Sequence, residues 1–167
     1  MSKTRKVLLR YLPRRLTQKD KKKVSKMLLK SRRLYKKGIY YTRKKVKSFT
    51  SKPSKHLAHA RKIYNVENIG ATPELAKKTG CSKAALAKII NKGEGAYFSS
   101  GSRPNQTGQS WGIARLASAI TSGKAAAVDY NILESGCKPG SKALKLAKKA
   151  KKEYGHGQKR VPKVPIA

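Results

Sequence analysis

The chain has 167 residues, and 42 Lys and Arg against seven Asp and Glu give it a formal net charge of +35. That length suits one ordinary domain with extensions, and so dense a like-charge field opposes compaction unless a polyanion neutralises it. Nucleic acid, an acidic protein surface or an anionic membrane would meet that need, but no window approaches the roughly 18 consecutive apolar residues of a spanning helix. Met1-Ser-Lys-Thr-Arg-Lys leads only into Val7-Leu8-Leu9 before Arg10. This is too short for the roughly 7 to 15 apolar residues of a secretory signal, so synthesis in the cytosol is expected.

The charge is uneven along the chain. Residues 1–64 carry 24 Lys and Arg against Asp20 alone, residues 65–140 nine against five acids, and residues 141–167 nine against Glu153. Only the centre has the composition of a self-sufficient core. The expected fold class is mainly α: a basic N-terminal arm with one helix (1–53), a small helical core domain (54–140, its helices over about 54–137) with a helix-turn-helix-like corner, and a basic C-terminal helix and tail (141–167). Both arms are too poor in apolar residues to order alone, at about 1 to 2 kcal/mol of backbone entropy per residue, and are expected to order within an assembly.

In the first arm, Leu16-Thr17 with Asp20 three residues on resembles a capping box with a hydrophobic staple, so a helix is expected to start there. Val24, Met27, Leu28, Leu34 and Tyr35 recur at helical spacing, and Gly38 would end the helix. Arg14 and Arg15 precede it, and Lys21, Lys22, Lys23, Arg32 and Arg33 line its outer face. The following segment interleaves Tyr40 and Tyr41 with Arg43, Lys44 and Lys45. Two readings stand for it: phosphate contact with base stacking, or a tyrosine pair docking the arm onto its own core. Ser48 to Ser54 read as an extended linker. Ser54 is a candidate cap for a helix over Lys55 to Tyr64, on which His56 and His59 lie three apart without the further ligands a metal site needs.

The centre holds two constellations. Thr72 caps and Pro73 takes the first helical position, followed by Ala76, Gly80 at a turn, Ser82 as a second cap, and Leu86 and Ile89 on a buried face. That is helix-turn-helix spacing, with Lys83 and Lys88 on the second helix. The residues that normally read base edges are Arg, Asn and Gln, whereas this helix offers mainly Ala and Lys. A structural corner is therefore the preferred reading. Cys81 and Cys137 read as two small buried thiols rather than a bridge in a leaderless chain. The second constellation, Gly93 to Ser110, is read as a long Gly- and Ser-rich loop in which Arg103 and Asn105 bond neighbouring carbonyls; the alternative is an anion held by the loop with Arg103. Trp111, Ile113, Leu116 and Ile120 form one core stripe, and Ala125, Ala126, Val128, Ile132 and Leu133 another. The tail from Ser141 favours a helix by propensity, and Gly155 onward reads as irregular and extended.

Leu16-Thr-Gln-Lys-Asp-Lys-Lys-Lys23, the Ser31 to Tyr41 stretch with its Tyr-Lys-Lys-Gly, Gly95-Ala-Tyr-Phe-Ser-Ser-Gly-Ser-Arg-Pro-Asn-Gln-Thr107 and Ser110-Trp-Gly-Ile-Ala-Arg-Leu-Ala-Ser-Ala-Ile-Thr-Ser-Gly-Lys-Ala-Ala-Ala-Val-Asp-Tyr130 together resemble a domain family of unknown function found in large nucleocytoplasmic DNA viruses. The likeness covers most of residues 10–140, and Gly101-Ser-Arg-Pro-Asn-Gln106 is its most specific part. It implies a viral setting and a non-enzymatic minor capsid or virion protein, made in the host cytoplasm and ordered within a large assembly. Expected partners are capsid proteins, nucleic acid without sequence preference, or an acidic protein surface. The expected contacts are the Arg, Lys and Tyr side chains named above, from Arg14 to Arg103, with no catalytic residue, metal or cofactor. The competing expectation is a helix-turn-helix protein acting on viral DNA.

Overall fold

The computed structural model describes residues 5–155 and 161–167. They form eight helices, α1 (Gln18–Lys36), α2 (Lys55–Tyr64), α3 (Pro73–Thr79), α4 (Lys83–Ser99), α5 (Gly108–Ala119), α6 (Lys124–Val128), α7 (Tyr130–Gly136) and α8 (Lys142–Tyr154), and two short strands, β1 (Lys6–Leu8) and β2 (Lys163–Pro165). The fold is mainly α. The helix starts follow local chemistry: the hydroxyls of Thr17, Ser54, Thr72 and Ser141 accept the N–H of the residue three positions on, leaving fewer unpaired donors in each first turn. Helix α1 ends where Gly38, at φ 77°, lets its own N–H reach the Tyr35 carbonyl and the Ile39 N–H reach that of Leu34. This is a Schellman-type stop that a β-carbon would strain.

The chain divides into two units. The first gathers Met1–Lys52, Gly95–Gly108 and Arg160–Ala167; the second gathers Pro53–Glu94 and Gln109–Lys159. This grouping differs from a reading in which residues 1–53 and 141–167 are arms on a central domain. The N-terminal stretch encloses its own apolar cluster of Val7, Tyr11, Leu12, Leu16, Val24, Met27, Leu28, Val46 and Phe49, with Val164 and Ile166 packed against it. Those residues are sparse along the sequence and become a core only when distant stretches meet. The end of the chain is part of this unit: β2 pairs antiparallel with β1, Val7 opposite Val164, and the Ala167 N–H donates to Ser25 Oγ at 3.1 Å. Of the tail expected to be irregular, residues 156–160 lie outside the described residues.

In the second unit, α8 buries Ala143, Leu144, Ala147 and Ala150 in a core with Leu75, Leu86, Ile89, Leu116, Ile120 and Leu133. The stretch expected to begin a loop at Gly93 is helical as far as Ser99. Gly93 is there for closeness to Gly112 of α5: a β-carbon on Gly93 would lie 2.6 Å from the Gly112 Cα, and one on Gly112 would lie 2.5 Å from the Ile90 carbonyl oxygen. Helices α4 and α5 therefore cross in backbone contact, and the irregular loop shrinks to residues 100–107. Val128, expected in the core, is exposed because α6 ends there and the next residue, Asp129, turns inward instead. The fully buried Asp129 carboxylate accepts two hydrogen bonds from Arg115 at 2.7 and 2.8 Å and one from Lys92 at 3.1 Å. Tyr64, buried, donates to the Ile120 carbonyl at 2.6 Å, and desolvation raises its pKa above the ordinary phenol value.

Cys81 and Cys137 are joined in a disulfide, contrary to the expectation of two free thiols. Backbone pairing brings them together: the Ser82 N–H donates to the Gly136 carbonyl and the Lys138 N–H to that of Gly80, both at 2.8 Å, so the two cysteines face each other across an antiparallel bridge. No sequence spacing announces that bridge. Closing a loop across 56 residues removes denatured-state entropy worth about 4 kcal/mol. The double substitution Cys81→Ala, Cys137→Ala should lower unfolding stability by about that amount, and reductant should destabilise the native protein but leave the variant unchanged in denaturant melts.

Asp20 is the only Asp or Glu of the first unit, and it accepts hydrogen bonds from the Ser48 hydroxyl and from the Ser48 N–H. These bonds, side chain first, hold its carboxyl below the ordinary value of 3.8. A depressed folded pKa contributes stability that is complete above the unfolded value and lost as pH falls through the folded one. Ser48→Ala should therefore flatten the acid limb of a stability-versus-pH curve below about pH 4, measured from denaturant midpoints.

Candidate nucleic-acid interface

The loop at residues 100–107 is built from the inside outward. Gly101, at φ 150°, lies so close to the Tyr11 ring that a β-carbon would sit 2.7 Å from it. The Ser102 hydroxyl accepts from Arg43 at 3.0 Å. The Asn105 side chain accepts the Val46 N–H at 2.8 Å and donates to the Val46 and Phe49 carbonyls at 3.1 and 2.6 Å. Asn105 itself has φ 64°, a left-handed conformation that Asn tolerates better than most residues. Asn105 thus bonds carbonyls as expected, but Arg103 does not share that task. Its side chain is exposed and lines a groove.

That groove holds about 430 Å³ and is walled by Leu8, Leu9, Arg10, Pro13, Arg14, Arg15, Phe49, Arg103, Val161 and Pro162. Four arginines line it, one of them brought from far along the sequence, and among the described residues no Asp or Glu lines it. The Arg15 guanidinium lies over the Phe49 ring at 5.1 Å and that of Arg10 over Tyr11 at 5.6 Å. Both are thereby supported by aromatic faces while staying exposed to solvent. Arg14, Arg15 and Arg103, singled out from the sequence, meet at this groove. Arg10 was missed, because a lone arginine after Val7-Leu8-Leu9 has no local signal; only the fold places it beside the others.

Arg43 has to be removed from the set of available contacts. It is only 9 % exposed, and its guanidinium donates to Ser31 Oγ, the Tyr97 carbonyl and Ser102 Oγ at 2.9, 2.8 and 3.0 Å while stacking over the Tyr97 ring at 3.8 Å. Its backbone N–H donates to the Tyr97 hydroxyl at 2.9 Å. Burial draws its pKa below the ordinary arginine value, an effect partly opposed by Tyr97.

The remaining cations take various places. Lys22, Lys23, Arg33, Lys44 and Lys45 are exposed, Lys21 is half-buried, and Arg32 donates to the Ser100 carbonyl at 2.8 Å. The Tyr41 ring carries the Lys30 ammonium at 4.5 Å. Tyr40 is 69 % exposed, against Phe98 at 5.1 Å between ring centres and Tyr35 at 6.1 Å. In the second unit Lys83 and Lys88 are exposed on α4, and His56 and His59 lie on the exposed side of α2. Among the described residues no group of three or more His, Cys, Asp and Glu is arranged to hold a metal ion. No helix among them is long and apolar enough to cross a membrane.

Fold and surface together define a mainly helical, strongly cationic protein of two units whose first unit carries 24 Lys and Arg against one acid. The chain belongs to a family of unknown function, DUF5824, matched over residues 9–132. The match takes in all four groove arginines and the Gly101–Gln106 segment, and it stops short of Cys137 and α8. No curated protein and no solved structure matches the chain.

The two loop-associated arginines should behave oppositely. Arg43→Ala leaves buried acceptors unpaired and a void beside Tyr97, and should cost about 3 kcal/mol of stability. Arg103→Ala should leave the melting temperature within a degree or two while weakening nucleic-acid binding. Melting curves and binding titrations on both variants check the contrast.

Proposed function

We propose that the protein is a non-enzymatic structural component of a large DNA virus particle, one that bridges capsid components and holds nucleic acid without regard to sequence. The observation that carries the nucleic-acid half is the convergence of Arg10, Arg14, Arg15 and Arg103 on one groove free of carboxylates. Guanidinium groups match phosphate oxygens in a bidentate way, and each phosphate neutralised releases condensed counterions irrespective of base. The face of α8 opposite its buried alanines adds Lys145, Lys148, Lys149 and Lys152, all exposed, a second phosphate-seeking surface. The viral half rests on the resemblance of the Gly95–Thr107 and Ser110–Thr121 segments to viral proteins. In that setting the chain is made in the host cytoplasm and ends in the particle.

A helix-turn-helix DNA-binding role is the second reading, favoured by the corner of α3, Gly80 at φ 80° and α4. The exposed start of α4 presents Lys83, Ala84 and Lys88, which contact phosphates better than they discriminate bases. Abundance in purified particles separates the readings: stoichiometric copies support the structural role, and absence from particles supports the regulatory one.

Random and viral duplexes of equal length should bind with equal affinity, with log K falling steeply and linearly against log salt. Arg14→Ala and Arg103→Ala should each reduce the slope by about one. A shallow slope with marked preference for one sequence would overturn the proposal.

A further inference from the structure

Among the described residues, three of the five large apolar side chains that stand exposed, Tyr35, Ile39 and Tyr40, fall within six positions of the first unit. Nothing in that unit's core needs them outside. The turn at Gly38 folds the chain back, so that Tyr40 returns over Tyr35 and reaches Phe98. Phe98 in turn stands edge-on to Tyr97, 4.9 Å between centres at 87°. Tyr97 is fully buried and is fixed by the Arg43 guanidinium on its face and by the Arg43 N–H on its hydroxyl. An exposed ring is thus anchored through a second ring to a locked interior one. Such a side chain gives up little rotamer freedom when something flat settles on it.

Charge narrows what that flat thing is. Lys36 and Lys37, both exposed, sit between Tyr35 and the Gly38 turn, Arg33 is exposed on the preceding turn of helix, and Lys44 follows Tyr40. The unit's only acid, Asp20, is engaged with Ser48. We infer that the Tyr35–Tyr40–Phe98 patch is a stacking platform for unpaired bases, so that the protein holds single-stranded nucleic acid in preference to duplex. The inference deepens the proposed polyanion binding and rests on it. Every base has a π-face, which keeps the contact indifferent to sequence, and the neighbouring lysines take the strand's phosphates. In a duplex those faces are already stacked, so the platform has nothing to receive and only the electrostatic contact remains.

Full-length protein, Tyr40→Ala and Tyr40→Phe would be titrated at one salt concentration against a mixed-sequence single strand and a duplex carrying the same number of phosphates. The expected result is tighter single-strand than duplex binding by the native protein. Tyr40→Ala should lose about tenfold on the single strand, none on the duplex and none of its salt slope, and Tyr40→Phe should retain native affinity. Equal loss on both substrates, or no loss on either, would overturn the inference while leaving phosphate binding intact. A native protein that binds neither substrate at low salt would sink the polyanion reading and the platform with it. If Tyr40→Ala left all nucleic-acid binding unchanged but abolished association with capsid protein, the patch would be a protein interface and the inference wrong.

Discussion

Arg43 is a buried cation in a unit that has no carboxylate to spare for it. With Asp20 held by Ser48, the guanidinium is satisfied by neutral groups: two serine hydroxyls, a main-chain carbonyl and the face of Tyr97. Its five donors in a rigid fork make that possible, where the point charge of a lysine could not reach so many acceptors at once. Those acceptors lie on α1, on the end of α4 and on the loop after it. The single side chain therefore ties together stretches of sequence that Asn105 and Arg32 also join, to Val46 and Phe49 and to the Ser100 carbonyl. Among the described residues every other cation of the unit is exposed or half-buried, and the field of the groove and of the tyrosine patch follows from that segregation.

The second unit solves the same problem of excess positive charge by different means. It has acids to use, and it spends one inside: Asp129 accepts from Arg115 in the bidentate manner and from Lys92, an arrangement in which losing one partner strands a buried charge. Its core sets eight buried alanines among its Leu, Ile, Val and Tyr side chains. The backbone approach at Gly93 and Gly112 and the alanine face of α8 allow helices to pack with little apolar bulk. A chain so rich in lysine has few positions left for leucine, and close packing of small residues recovers part of the dispersion energy that bulk would have supplied.

Much of this was legible in the sequence wherever the signal was local. Thr17 with Asp20, Ser54, Thr72 with Pro73, Gly80 and Ser141 each marks a helix end by chemistry confined to a few residues, and the mainly α class follows from them. The misreadings share a different cause. Gly93 and Gly95 look like loop residues because glycine near serine usually is, and only the partner helix reveals Gly93 as a contact point. Cys81 and Cys137 are aligned by main-chain bonds between segments far apart. Arg43 and Arg103 stand in equally basic, equally polar surroundings along the chain, yet one is enclosed and the other exposed, because tertiary neighbours and not flanking residues decide which guanidinium finds enough acceptors to give up water. Arg10 and Phe98 belong to the candidate surfaces for reasons that only the fold supplies.

The pairing of β1 with β2 sets an order on biosynthesis. Val7 leaves the ribosome well before its partner Val164, which is translated only after all of the second unit. During that interval the nascent N-terminal stretch, with twenty Lys and Arg before residue 50, lacks the strand and the Ser25 contact that complete its core, and it hangs beside the most abundant polyanion of the cell, ribosomal RNA. The second unit, whose disulfide partners and core residues all lie between residues 60 and 150, has every piece it needs before the first can close. Translation therefore supplies every piece of the second unit before the more cationic first unit has its last strand, and synthesis of Val164 is what lets that first core close.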